Sequence, residues 1–303
     1  MNHKNPILAV GSIAFDDLKT STGNEKNVLG GSATYFSIAA SLLSSVKIVG
    51  VVGDDFPKSA WDLFKEKKID FNNGQVKKGD TFHWGGQYSE DFSIRETLFT
   101  NLGVFENFNP SIKKDDLNVR FLFLGNIQPD LQLQVINDMH SQELIFTDTM
   151  NLWIETAKQK VESVFSHTDV LLLNHEEAYQ YTNEKKLELA AEKLHDSGPN
   201  VVIIKLGSEG AYLSEKTSTY FIPVFPINKV VDPTGAGDSF AGGLIGHLSN
   251  MKKLDFLEAV ITASAMASFA VEGFGIFSIA NATKSALDHR INVIKNKMNI
   301  NQT

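Results

Sequence analysis

Short apolar runs recur along the chain, and between them apolar residues return at helical spacing. Residues 7–10, 47–52, 120–124, 144–147, 170–173 and 201–205 show no polar alternation, so each reads as a strand buried on both faces. Residues 32–43, 59–67, 130–140, 155–165, 176–181 and 187–196 read as helices. Strands alternating with helices predict an α/β fold with a mainly parallel sheet covered on both sides. The mostly apolar stretch 259–271 is broken by Thr262, Ser264 and Ser268 and is too short to span a bilayer, so it reads as a buried helix. The polar residues from about Asn292 onward are expected to close the chain as a fraying helix.

Residues 81–105 break the rhythm. Phe82, Trp84, Tyr88, Phe92, Ile94, Leu98, Phe99 and Phe105 alternate with Gly, Ser, Thr and charged residues, the pattern of antiparallel strands with one wet face. Residues 15–29 have the same mixed, turn-rich character. The two pieces can pair into a small sheet, which over a cleft would act as a lid; a plain edge hairpin is the other reading. Without a repeat, a low-complexity segment or a linker, residues 1–303 read as a single domain, with lid pieces at about 15–29 and 80–105.

Composition narrows the function. A net charge of −8 argues against general nucleic-acid binding, which needs a basic face, but leaves room for a local nucleotide site. The chain has no cysteine, which removes disulfides, thiolate metal sites and cysteine nucleophiles and fits a reducing cytoplasm. The polar residues 1–6 and the brief apolar run after them do not resemble a signal peptide. No membrane partner is expected.

The densest chemical signal is Asp232-Pro-Thr-Gly-Ala-Gly-Asp-Ser-Phe-Ala-Gly-Gly243, expected to follow a strand-like run at 229–231 and to open a helix over 240–248. Gly235 and Gly237 leave room for a ligand against the main chain. Successive free N–H groups at a helix start suit a phosphate or a developing oxyanion. Asp238 follows at once, placed to take a proton from a substrate hydroxyl, so Gly235, Ala236 and Gly237 read as an anion hole and Asp238 as a general base. An acidic helix cap is the simpler alternative for an isolated Gly-x-Gly-Asp.

The full string resembles the C-terminal signature of the ribokinase-like (PfkB) carbohydrate kinases, and the resemblance runs from the first strand to about Phe277. It implies a three-layer α/β/α sandwich with a small β-sheet lid, ATP as phosphate donor and Mg²⁺ as cofactor. It implies Asp238 as catalytic base and Asp232 near the phosphates and a monovalent-cation (K⁺) site beside the loop 271–275. Leu29-Gly-Gly-Ser-Ala-Thr-Tyr-Phe36 resembles the family's substrate-facing glycine pair, so Gly30, Gly31 and Thr34 become substrate candidates. The Asn that usually follows the glycines is missing, with Thr34-Tyr35 near its place. By spacing, Asp16 matches the family's substrate-binding Asp, with Asp17 as its neighbour. Asn174 and Glu177 match the Asn-x-x-Glu pair that organises magnesium and phosphate; a helix cap is the simpler reading. Lys205, Gly207 and Gly210 match the strand and turn beneath the nucleotide phosphates. Lids of this family often pair between subunits, which implies a homodimer.

The acceptor implied first is a sugar or small polyol, with a nucleoside as the alternative because Trp84 and Tyr88 could stack on a base. An inactive relative acting as a binding protein is a third reading. A dinucleotide-binding oxidoreductase fails because the stretch beginning Gly235-Ala-Gly237 lacks the third glycine. A zinc site at His175-Glu176-Glu177 fails because no second His stands at ligand spacing. The role of Asp148, at the end of a predicted strand, stays open.

Overall fold

The apolar runs assemble into one nine-stranded sheet. In spatial order it contains Ser218–Ile222, Ala211–Glu215, Val201–Lys205, Val170–Asn174, Leu144–Asp148, Phe121–Leu124, Ile7–Val10, Val46–Val49 and Ile69–Asp70. Every pair from Val201–Lys205 to Ile69–Asp70 is parallel, and the two strands at the other edge are antiparallel. The structure, a computed structural model, describes residues 6–300. The fraying end expected beyond the last helix falls outside them; Lys284–Ile300 is helical.

The strands lack polar alternation because both faces are covered. Ile7, Ala9, Phe121, Phe123, Leu172 and Ile203 point into a core shared with Ser32–Ser41, Ala236–Leu248 and Phe256–Ala270. Leu171, Leu173, Val202 and Ile204 face Lys158–Phe165, His175–Thr182 and Leu187–Asp196 on the other side. Leu8, Val10, Leu122 and Leu124 face Pro129–Asp138 there. This is the expected three-layer sandwich. On the first face small residues let the helices approach: a Cβ on Gly242 would stand 2.5 Å from the Phe36 carbonyl oxygen.

The mixed segments form a separate four-stranded sheet in the order Gly23–Gly30, Ala14–Thr20, Phe82–Tyr88, Arg95–Asn101. The two distant pieces join through a parallel pairing of Ala14–Thr20 with Phe82–Tyr88. The aromatic run then ends in a 3₁₀ turn, Gly103–Asn107.

Three local expectations are corrected. Residues 47–52 divide at Gly50: Val46–Val49 stays in the main sheet, whereas Val51–Gly53 pairs with Gln75–Lys77. Residues 155–165 divide at Ala157, whose non-helical backbone separates Asn151–Thr156 from Lys158–Phe165. Residues 229–231 form no strand. The Val231 N–H donates to the Val271 carbonyl (2.8 Å), and the Val231 carbonyl accepts from the hydroxyls of Thr20 and Thr22 (2.9 Å each). Three isolated bonds, one to Val271 and two to the small sheet, replace the ladder that an apolar run suggests. Among the described residues, no helix is long and apolar enough to cross a membrane.

Candidate active site

The motif loop is pinned from below. Asp232 is fully buried, and its Oδ1 accepts the Thr234 N–H (2.9 Å) while Oδ2 accepts the Gly275 N–H (3.2 Å). This ties the loop to residues 271–275, and the Thr20 and Thr22 hydroxyls tie it to the small sheet. Gly235 then turns the chain with φ 73°, and a Cβ there would stand 2.2 Å from the Tyr35 ring, so no other residue fits without displacing that ring.

The helix Ala236–Leu248 starts at this turn, and the Ser239 N–H donates to the Gly235 carbonyl at 2.8 Å. Earlier amides of a helix have no partner within it. The Ala236 N–H is taken by the Pro233 carbonyl (3.2 Å) and that of Asp238 is turned to its own carboxyl, but those of Gly235 and Gly237 make no hydrogen bond among the described residues. The tight turn therefore uses the middle amide of the expected Gly-Ala-Gly trio and leaves the outer two open. Open N–H groups at the positive end of a helix attract an anion.

Charged side chains converge on these amides from the ends of parallel strands, where open α/β sheets bind ligands. Lys205 ends Val201–Lys205, and its Nζ lies 3.0 Å from Asp148 Oδ2 at the end of the neighbouring Leu144–Asp148 strand but one. A Cβ on Gly237 would stand 3.0 Å from that ammonium, so the cation lies beside the helix start. Burial works against the charge of Lys205, but Asp148 and Glu177 outweigh it and hold its pKa above the ordinary value. Asp238 is half-buried. Burial pushes its carboxyl up to about 7, Asp148 adds to this, and Lys205 and Arg95 oppose it. A base with a pKa near the working pH is matched to proton transfer.

Asn174 and Glu177 form a capping box. The Glu177 N–H donates to Asn174 Oδ1 (2.9 Å) and the Asn174 N–H to Glu177 Oε2 (2.8 Å). The cap is thus real, yet Glu177 Oε1 makes no hydrogen bond among the described residues. Burial raises Glu177 to about 7, which Lys205 opposes. A carboxylate so placed gains from a cation. Among the described residues, no cluster of three or more His, Cys, Asp and Glu side chains can hold a metal. A magnesium ion here would depend mainly on phosphates and water for its ligands.

Asp16 and Asp17 lie on opposite faces of the small sheet. Asp17 is engaged by His83 Nε2 (2.9 Å) and the Asn27 N–H (2.9 Å). Asp16 is 4% exposed and lies against Gly30, where a Cβ would stand 2.0 Å from its Oδ2. Burial raises its pKa well above the ordinary value, with Asp232 and Asp238 adding to it, so it belongs to the same cluster as the motif loop. Gly31 leads into the helix Ser32–Ser41, whose first N–H groups are held by Ser12: the Ser32 N–H donates to Ser12 Oγ (3.1 Å) and the Ala33 N–H to the Ser12 carbonyl (2.9 Å). Thr34 is fully buried, and its hydroxyl makes no hydrogen bond among the described residues. Gly207 and Gly210 bracket the 3₁₀ turn after Lys205; space is open beside Gly207, whereas Gly210 packs against the Ile222 carbonyl.

Sequence reasoning named several of these residues but not how they meet. The Asp148–Lys205 ion pair joins strand ends far apart in the chain, and only the strand-end positions hinted at it. Tyr88 Oη and Thr234 Oγ1 share a hydrogen bond (3.1 Å) that joins the small sheet to the motif loop. Arg95 stacks over Trp84, 5.8 Å from the ring centroid, with its charge felt by Asp238 and Glu177.

Residues 126–281 match the family described as "pfkB family carbohydrate kinase". A cytidine kinase from Thermococcus kodakarensis is 27% identical over 255 residues, 82% of this chain and 90% of the relative. A Burkholderia thailandensis nucleoside kinase solved with ADP and inosine superposes with a TM-score of 0.80 at 18% identity, covering 95% of both chains. A Vibrio cholerae fructokinase solved with fructose, ADP and calcium gives 0.78 at 18% identity, covering 95% of this chain and 99% of that one. At these identities the structures establish a shared fold.

Proposed function

The chain belongs to the pfkB family of carbohydrate kinases, an ATP-dependent phosphotransferase by that membership, and we propose that it phosphorylates a hydroxyl of a nucleoside. The observation that carries the reaction type is the pairing of open N–H groups at Gly235 and Gly237 with the Asp238 carboxyl beside them. In this reading those amides hold the γ-phosphoryl group as its charge spreads in the transition state. Asp238 accepts the proton of the attacking hydroxyl. Lys205, steadied by Asp148, sets a positive charge next to the same oxygens. Asn174 and Glu177 would hold magnesium, which offsets phosphate charge when bound. Asp16 faces the acceptor, with Gly30 and Gly31 bringing the backbone close.

The small sheet acts as a lid in this proposal. Its contacts to the motif loop, through Thr20, Thr22 and Tyr88, link its position to the anion site, and closure keeps water from the phosphoryl group.

A nucleoside is preferred to a sugar for two reasons. The cytidine kinase aligns over most of both chains. Trp84 also pairs in register with Asp16 across the small sheet, so an aromatic residue stands one strand from the acceptor-facing carboxyl, its indole leaning over Gly86 toward Thr97. An assay of ATP consumption with cytidine, inosine, adenosine, ribose and fructose tests the choice. The expected result is the highest kcat/KM with a nucleoside. A sugar as the best acceptor contradicts it and returns the acceptor to the sugar class.

A further inference from the structure

One lysine stands among three carboxylates and pairs with only one of them. Lys205 Nζ lies 3.0 Å from Asp148 Oδ2 and 3.3 Å from Oδ1. Glu177 and Asp238 also act on its charge, yet neither makes an ion pair with it among the described residues. The strands that carry Lys205 and Asp148 are separated by Val170–Asn174, so the pair bridges roughly 10 Å of sheet. Buried ion pairs add little net stability, so the fold alone gives no reason for this reach.

Asp148 is the fixed member of the pair. Its Oδ1 accepts the Thr149 N–H (2.9 Å), and its carbonyl accepts from Gln132 Nε2 (3.0 Å). The Gln132 side chain is buried and also holds the Gly125 carbonyl (3.0 Å). Lysine is a point charge on a flexible stem, so Lys205 goes where the fixed carboxylate draws it. That place matters to the site. The ammonium stands 3.0 Å from the position a Cβ on Gly237 would take, one residue before Asp238. Among the described residues, the Asp238 carboxyl meets only its own amide. Of the other charged groups acting on it, Arg95 stacks over Trp84 in the small sheet, and Asp16 is an anion that repels it. A carboxylate paired with an ammonium is a weaker base, because the pair favours its ionised form. Lys205 is thus placed both to assist phosphoryl transfer and to quench the base, and its contact with Asp148 decides between the two.

We infer that Asp148 is a positioning residue for phosphoryl transfer: it anchors the Lys205 ammonium beside Gly237 and withholds it from the Asp238 carboxyl, which stays unpaired and able to take a proton. The inference rests on the reading of Asp238 as the base of a kinase of alcohols.

The test compares pH profiles of kcat/KM on the best acceptor from the screen. The proteins are wild type, Asp148→Asn, Asp148→Glu, Lys205→Met and a double variant carrying Asp148→Asn with Lys205→Met. Wild type is expected to lose activity below about pH 7. In Asp148→Asn the released ammonium turns to Asp238, so the acid limb should move to lower pH. The plateau should fall about tenfold or more, the scale seen when a group that orients a functional side chain is removed. Asp148→Glu restores the anchor and should recover most of the plateau. Lys205→Met should move the limb to higher pH. Adding Asp148→Asn to it should leave the plateau unchanged, because no ammonium remains to be anchored. An unshifted limb in Asp148→Asn overturns the inference, as does an equal fold loss from Asp148→Asn with and without Lys205. If Asp148→Asn does not fold, the double variant, which buries neither charge of the pair, is set against Lys205→Met: equal plateaus support the inference and a further loss overturns it. A limb that survives in Asp238→Asn removes the base, and the inference with it. If wild type phosphorylates no alcohol, the kinase reading itself has failed and takes the inference with it, an outcome seen before any variant is compared.

Discussion

Asp238→Asn lowers kcat by roughly 10²–10⁴ while ATP binding, read by calorimetry, persists. The amide keeps the size and position of the carboxyl but cannot take a proton. The pH profile sharpens the expectation. Asp238 must be ionised to act, and burial with the nearby Asp148 holds its pKa at about 7. Wild-type kcat/KM should therefore fall tenfold per pH unit below about 7 and level off above it, and the residual activity of the variant should lose that slope. Glu177 titrates in the same range, so a slope that survives in Asp238→Asn assigns it to Glu177 and removes Asp238 as the base. Stability should move the other way. Because the folded protein holds the Asp238 proton more tightly than the unfolded chain, this group's contribution is fully present below about pH 4. It is lost as the pH rises through about 7. Asparagine avoids the buried charge, so the variant should melt higher than wild type at pH 8. Higher stability with lower activity is the mark of a site that holds strain for function.

Gly235→Ala should lower kcat by roughly 10²–10³, the effect typical of losing a donor to a developing oxyanion. Two costs coincide there. The backbone sits at φ 73°, which costs an ordinary L-residue about 1–2 kcal/mol, and the new methyl would overlap the Tyr35 ring. The turn must open or the ring must move, and either displaces the amides of Gly235 and Gly237 from the phosphoryl position. Circular dichroism should show a folded protein with a lower midpoint, and the loss should lie in kcat more than in the KM for ATP. A variant that is destabilised yet turns over at the wild-type rate would remove the turn from the mechanism.

The main sheet was legible because strands buried on both faces leave a plain mark, a run of apolar residues closed by small or polar ones. Asn174 and Lys205 end their strands where the pattern placed them. The errors share a cause. Residues 229–231 have strand composition, but their backbone partners are Val271 and two threonines of the small sheet, contacts that local pattern does not record. Gly50 and Ala157 break elements through single backbone turns inside otherwise regular runs.

The site divides in the same way. The motif loop announced itself because glycines and Asp238 are contiguous. Its inner wiring did not, since it depends on which amide the turn consumes: Ala236 gives its N–H to Pro233, and the open groups are those on either side of it. Asp148 meets Lys205 only through the order of strands in the sheet, and Tyr35 meets Gly235 only because their helices pack together.

The most direct measurement is a crystal structure with ADP, magnesium, acceptor and a metal fluoride that mimics the phosphoryl group in transfer. The account predicts fluorides roughly 3 Å from the N–H groups of Gly235 and Gly237, with the Asp238 carboxyl against the acceptor oxygen in line with the metal. A fluoride complex seated elsewhere in the cleft, with those amides turned to protein or bulk water, would contradict it.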